Sequence, residues 1–209
     1  MNLSASLNIF RLIRDPALCL PHSSISTFNH LPVPLSKGFG NQDGPKNIRA
    51  VVLDKDNCFA VPHKNTIHEP YSDKFQQLRE AYPGNRLLVV SNSAGTGDDP
   101  DGKEADLLEK NTGVKVLRHS TKKPGCRAEI FNHFVNSKDT GVTSPEQIAI
   151  VGDRLFTDVM MANLMGSWSV WVKHGVVEEK SFFMRLETRF FNFLIRRGYS
   201  APKPRSILK

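Results

Sequence analysis

Two carboxylates one residue apart, Asp54 and Asp56, follow directly on the apolar run Val51-Val52-Leu53. Successive side chains of a strand point to opposite faces, so an unbroken apolar run marks a strand covered on both sides. Open α/β sheets place their ligands at the carboxyl ends of strands, and Asp54 and Asp56 project there in the same general direction. Like charges this close repel, and each should titrate high unless a cation sits between them. One reading is a Mg²⁺-dependent site with one nucleophilic and one acid/base carboxylate. The other is a solvated turn, because Asp, Asn and Lys are common after strands.

The elements that must position this pair decide between the two. Buried-type strands are expected at Arg49 to Leu53, Arg86 to Val90, Val114 to Leu117, Ile148 to Val151 and Ser169 to Val172. Helical spacing lies between them, at Ser72 to Ala81, Glu104 to Lys110, Cys126 to Val135 and around Val159 to Met165. This alternation predicts an α/β fold, a Rossmann-like parallel sheet with helices on both faces. Such a sheet gathers its strand ends. Ser91 and Asn92 then join Asp54 and Asp56, as do Asp153 and Asp158 after the fourth strand and Lys123 before a helix.

The set resembles the haloacid dehalogenase superfamily of phosphatases. Asp54-Lys55-Asp56 is similar to its D-x-D motif, Ser91 to its Ser/Thr after an apolar strand, Lys123 to its Lys before a helix, and Gly152-Asp153 through Asp158 to its G-D-x-x-x-x-D. The resemblance implies that Asp54 attacks phosphorus to form an aspartyl-phosphate, and that Asp56 protonates the leaving oxygen and then activates water. It implies Mg²⁺ held by Asp54, the Asp56 carbonyl and Asp153, with Asp158 in support. Phosphoryl oxygens would rest on Ser91, Asn92 and Lys123. Lys122 is the other candidate for the lysine role; Lys123 is preferred because the family's lysine commonly precedes proline. Cys58 departs from the pattern, standing where the family often has Thr, and is read as a buried packing residue.

The strings LDKDNC, RHSTKKPGC and VGDRLFTDVMMANLMGS resemble more closely the mitochondrial phosphatidylglycerophosphate phosphatases of fungi and plants. That resemblance implies hydrolysis of phosphatidylglycerophosphate to phosphatidylglycerol, toward cardiolipin, by a peripheral protein at the matrix face of the inner membrane. The intervals are short, 37 residues from Asp54 to Ser91 and 32 from Ser91 to Lys123, which leaves little or no room for a cap domain. An uncapped site must exclude water by another means, such as a partner subunit in a homo-oligomer or the membrane.

The rest of the chain divides into residues 1–46, 47–175 and 176–209. Asn2 to Arg14 holds two arginines and no acid, and reads as a short helix, an organellar targeting segment or an interfacial helix. Pro21 to Pro45, rich in Pro, Ser, Gly and Asn, reads as an extended arm. From Lys173 onward nine Lys or Arg stand against three Asp or Glu, so most of the net charge of +7 lies in one terminal segment. There Phe182, Phe183, Leu186, Phe190, Phe193 and Leu194 fall within an arc of about 120° on a helical wheel, beside Arg185, Arg189 and Arg196. Such a helix either binds an anionic membrane surface or packs on the domain or in a subunit interface. Three scattered cysteines make no zinc pattern and no disulfide framework. No nucleic-acid motif is present, and these aromatics are confined to the amphipathic helix. Both observations speak against one alternative, a nucleic-acid end phosphatase of the same fold. The second, a non-catalytic membrane-associated scaffold, is disfavoured because every motif residue is kept.

Overall fold

The computed structural model describes residues 10–40, 46–177 and 182–205, the last stretch with side chains from Met184 onward. Six strands form one parallel sheet: β1 (Ser23–Ile25), β2 (Ala50–Leu53), β3 (Leu87–Val89), β4 (Lys115–Val116), β5 (Ile148–Gly152) and β6 (Trp168–Val172). Their order is β1-β6-β5-β2-β3-β4. From β2 the chain moves outward to β3 and β4, then crosses back to β5 on the other side of β2. The order therefore reverses between β2 and β5, and the crevice beyond their carboxyl ends is where such sheets bind ligands.

Alternation sorts the strand residues onto two cores. Val51 and Leu53 face one, with Phe75 and Leu78 of α1 (Ser72–Ala81) and Ala105 and Leu108 of α2 (Lys103–Thr112). Ala50 and Val52 face the other, with Ile130 and Phe134 of α3 (Arg127–Asn136) and Met161, Ala162 and Met165 of α4 (Met160–Met165). Burying one Leu or Phe in such a layer stabilises the fold by roughly 1.5–3 kcal/mol.

The stretch expected as an arm is instead part of the domain. Ser23–Ile25 pairs in register with Val170–Val172 as an edge strand. Phe28, Leu31, Leu35 and Phe39 are buried in the first core. Composition misleads here because prolines and serines occupy the turns while every third or fourth residue points inward. Residues 10–14 are helical, as the Asn2 to Arg14 pattern anticipates; positions 1–9 lie outside the described residues.

The last helix, α5 (Phe182–Arg196), packs on a third, smaller cluster. Leu194 is buried there with Cys19, Leu20, Leu155, Val159 and Trp171, and Phe190 and Phe191 pack against it. The face toward the domain is thus Glu187, Phe190, Phe191 and Leu194, rotated from the apolar arc read from the sequence. Leu186 and Phe193 of that arc remain exposed, as do Arg185, Arg189 and Arg196. The side chains of Phe182 and Phe183 lie outside the described residues. Among the described residues no helix is long and apolar enough to cross a membrane.

Candidate active site

The strand reversal brings Asp54 and Asp153 side by side. Leu53 pairs with Val151, and the Asp54 N–H donates to the Val151 carbonyl at 2.9 Å. A wide π-type turn, Leu155–Val159, carries Asp158 back over the end of β5. Gly152 makes that return possible: a Cβ there would fall 2.3 Å from the Asp158 carboxyl carbon. Carboxylate oxygens of Asp54, Asp153 and Asp158 all lie within 4.8 Å of one another, and all three residues are buried.

Lys123 enters this cluster from the opposite side. Its Nζ donates to Asp54 Oδ1 at 2.5 Å and to Asp158 Oδ1 at 2.7 Å. Burial alone would lower its pKa, but the two carboxylates outweigh burial and raise it. Lys122 points elsewhere and pairs with Asp98 at the surface. Burial pushes Asp54 up to about 6, with Asp158 and Asp56 adding to the rise and Lys123 opposing it. Burial, with the charges of Asp54 and Asp158, also pushes Asp153 well above the usual carboxylate range. Three crowded carboxylates with one ammonium between them form a hard-oxygen donor set with surplus negative charge, which suits a cation such as Mg²⁺.

Asp56 behaves differently from the expectation that both members of the pair titrate high. Burial would raise it, but the Lys55 ammonium at 2.6 Å and the His63 N–H at 2.8 Å hold its pKa below the ordinary value. Lys55 is itself buried and also donates to the Lys64 carbonyl. The other Asp56 oxygen faces the hydroxyls of Ser93 at 3.3 Å and Ser91 at 3.5 Å.

A hollow of about 150 Å³ is lined by Asp54, Asp56, Asn92, Lys123, Asp153 and Arg154, with Asn57 and Thr157 completing it. Ser91 is fully buried behind this lining, its hydroxyl 3.0 Å from that of Ser93. Asn92 accepts the Lys123 N–H at 2.8 Å and so fixes the lysine's backbone. Cys58 sits in the first core, where burial raises its thiol pKa well above the ordinary value, as expected of a packing residue.

Several contributors were not singled out from the sequence. Lys55 lies between the two aspartates, and its odd-even position pointed it away from them. His119 joins two motifs, one ring nitrogen 2.9 Å from the Ser91 carbonyl oxygen and the other 2.9 Å from that of Thr121. Arg154 lines the hollow and receives Glu187 from α5. The membrane set of the sequence reading (Phe182, Phe183, Arg185, Leu186, Arg189, Phe190, Arg196) lies on α5, and its members with described side chains, Arg185 onward, do not join the carboxylate cluster.

Comparison with known proteins identifies the family. A family model described as mitochondrial PGP phosphatase matches residues 3–177. The chain is 47% identical to "Phosphatidylglycerophosphatase GEP4, mitochondrial" of Saccharomyces cerevisiae, over 93% of this chain and 99% of that one. It is 36% identical to a probable mitochondrial phosphatidylglycerophosphatase of Schizosaccharomyces pombe, over 84% of each chain. It is 33% identical to phosphatidylglycerophosphate phosphatase 1 of Arabidopsis thaliana, over 89% of this chain and 50% of that one. The resemblance read from the motifs is thereby borne out. A phosphatase-type carboxylate cluster at the strand reversal and a match spanning most of the chain lead to one conclusion: this chain belongs to the mitochondrial PGP phosphatase family, and it is an enzyme.

Proposed function

We propose that the protein hydrolyses the terminal phosphate of phosphatidylglycerophosphate, giving phosphatidylglycerol and phosphate on the route to cardiolipin. The phosphatase chemistry is carried by Lys123 set between Asp54 and Asp158, with Asp153 beside them at the strand reversal, and the lipid substrate is supported by the relatives named phosphatidylglycerophosphatase. A phosphate monoester is anionic and repels nucleophiles, so catalysis is chiefly positioning and charge neutralisation.

Asp54 is the nucleophile. It attacks phosphorus in line and forms an aspartyl-phosphate as the lipid glycerol oxygen leaves. Asp56 gives that oxygen its proton and afterwards takes one from the water that hydrolyses the acyl phosphate. Lys55, by holding Asp56 ionised, favours the second role. Lys123 neutralises the transferring group and the Asp54 carboxylate together. Asn92 fixes its backbone, and Ser91 supports the Asp56 side of the site. Asp54, Asp153 and Asp158 would hold Mg²⁺, which supplies neutralisation of phosphoryl charge when bound.

The proposed setting is the matrix face of the mitochondrial inner membrane, with the protein bound peripherally to anionic lipid. The exposed Leu186 and Phe193 beside Arg185, Arg189 and Arg196 support that reading. A phosphate-release assay comparing phosphatidylglycerophosphate with phosphatidic acid and a 5′-phosphorylated oligonucleotide tests the substrate. Preference for the first is expected; equal or better turnover of the oligonucleotide would overturn it.

A further inference from the structure

A groove of about 520 Å³ runs between the end of β6 and α5. Its apolar lining is made by Trp171, Val177 and Met184, and the exposed Lys173, Arg185 and Arg189 also line it. Among the described residues no carboxylate pairs with any of these three cations. Lys173 Nζ lies 5.8 Å from the centroid of a Trp171 ring.

The groove adjoins the carboxylate cluster through two contacts. Trp171 Nε1 donates to the Asp153 carbonyl at 2.9 Å. Asn57, which lines the catalytic hollow, is gripped from the groove side: Val177 N–H donates to Asn57 Oδ1 at 2.9 Å and Val176 N–H to the Asn57 carbonyl at 3.2 Å. Gly175 lies flat on the same amide, where a Cβ would come within 2.1 Å of Asn57 Nδ2. Asn57 takes a positive φ of 59° to reach this position. With Oδ1 committed to Val177, Nδ2 is buried and has no hydrogen-bond partner.

We infer that this groove is a second anion subsite, which takes the phosphodiester of the lipid while its terminal phosphate reacts at Asp54. The inference rests on phosphatidylglycerophosphate as substrate. That molecule carries two phosphates joined by a glycerol bridge. The monoester fits the small hollow among the carboxylates. The diester is a permanent anion attached to an apolar body, which matches a lining of apolar groups together with Lys and Arg. Asn57 belongs to the hollow and Val177, whose N–H it accepts, to the groove, so this pair forms the wall between the two places. Glycerol 3-phosphate has no second anion, and phosphatidic acid has no bridge, so neither engages both places. The groove therefore selects substrate by the spacing of two charges.

The test uses water-soluble substrates, so that membrane attachment plays no part. Deacylated phosphatidylglycerophosphate, which keeps both phosphates, is compared with glycerol 3-phosphate in the full chain and in Lys173→Ala and Lys173→Ala/Arg185→Ala. The unaltered protein is expected to prefer the two-phosphate compound. In the double variant the ratio of the two kcat/KM values should fall about tenfold or more, near 1.4 kcal/mol for each factor of ten, through KM rather than kcat. Melting temperatures establish that the variants are folded. An unchanged ratio overturns the subsite. So does a loss seen only with vesicle-borne lipid, which would assign these cations to the membrane. Failure of the unaltered protein to release phosphate from intact phosphatidylglycerophosphate would instead remove the substrate reading, and the subsite with it.

Discussion

Glu187, buried on the inner face of α5, reaches back to Arg154 at the rim of the catalytic hollow, with Oε1 3.2 Å from the guanidinium. Its Oε2 also accepts the Leu155 N–H at 3.0 Å. The last helix is therefore tied to the loop that carries Asp153 and Asp158. Glu187→Ala leaves a guanidinium and a buried N–H without an acceptor. It should lower stability by about 1–3 kcal/mol, read as a drop in denaturation midpoint. An unchanged midpoint would mean that the apolar contacts alone hold α5.

Asp54→Asn keeps the shape of the side chain but cannot attack phosphorus. Turnover should fall by ~10³-fold or more, while the melting temperature stays within a few degrees because Lys123 keeps Asp158. Near-normal turnover would sink the covalent route.

The pH dependence of metal binding follows from Asp54. Burial first, then its acidic neighbours, lift it from 3.8 to about 6. A carboxyl raised on folding contributes stability below its unfolded value and loses that contribution as pH climbs through its folded value. Mg²⁺ requires the ionised form, so it should raise the melting temperature more at about pH 7.5 than at about pH 5. Full phosphatase activity in excess chelator, or a pH-independent Mg²⁺ shift, would remove the metal from the site.

Lys55→Met deletes the ammonium that keeps Asp56 ionised. Burial then acts unopposed by its strongest counterweight, so Asp56 should titrate higher. Hydrolysis of the aspartyl-phosphate, followed in single-turnover quench experiments, should weaken on the acid side and its acid limb move to higher pH. A limb that stays in place would assign the base to another group.

Replacing Arg185, Arg189 and Arg196 together should weaken binding to anionic vesicles by on the order of a hundredfold, at ~1 kcal/mol per basic residue near the surface. Sedimentation with phosphatidylglycerol vesicles measures it. Unchanged sedimentation would leave α5 as a packing element only.

Strands β2 and β5 were legible because each is an apolar run long enough to be covered on both faces, and Asp54 and Asp153 follow directly on them, with Asp158 in the turn after β5 and Lys123 ahead of α3. β1 was not, since Ser23-Ser24-Ile25 has one apolar residue and gains its place only by pairing with β6. The inward spacing of Phe28, Leu31, Leu35 and Phe39 was a signal that the Pro- and Ser-rich composition obscured. On α5 the wheel located an apolar arc but not the side that packs. That side is set by Glu187, whose partner lies 33 residues away along the chain. The Lys55–Asp56 pair is a local reversal of direction at the strand end, which period-two alternation does not anticipate.

The pairing of β1 with β6 sets a limit on how far the amino end can be trimmed. Among the described residues upstream of Pro16, 10–14 are helical, with Phe10 and Ile13 turned outward and Leu12 packed on the third cluster. Beyond Pro16, Asn163 binds the carbonyls of Leu18 and Leu20, and His22 binds Ser169 and the carbonyl of Pro202. A protease that stops near Asp15 leaves these ties whole. One that cuts past Ser23 strips a strand from β6, exposes an unpaired sheet edge of the kind that seeks other chains, and removes the His22 bond to the carboxyl-terminal tail in the same stroke.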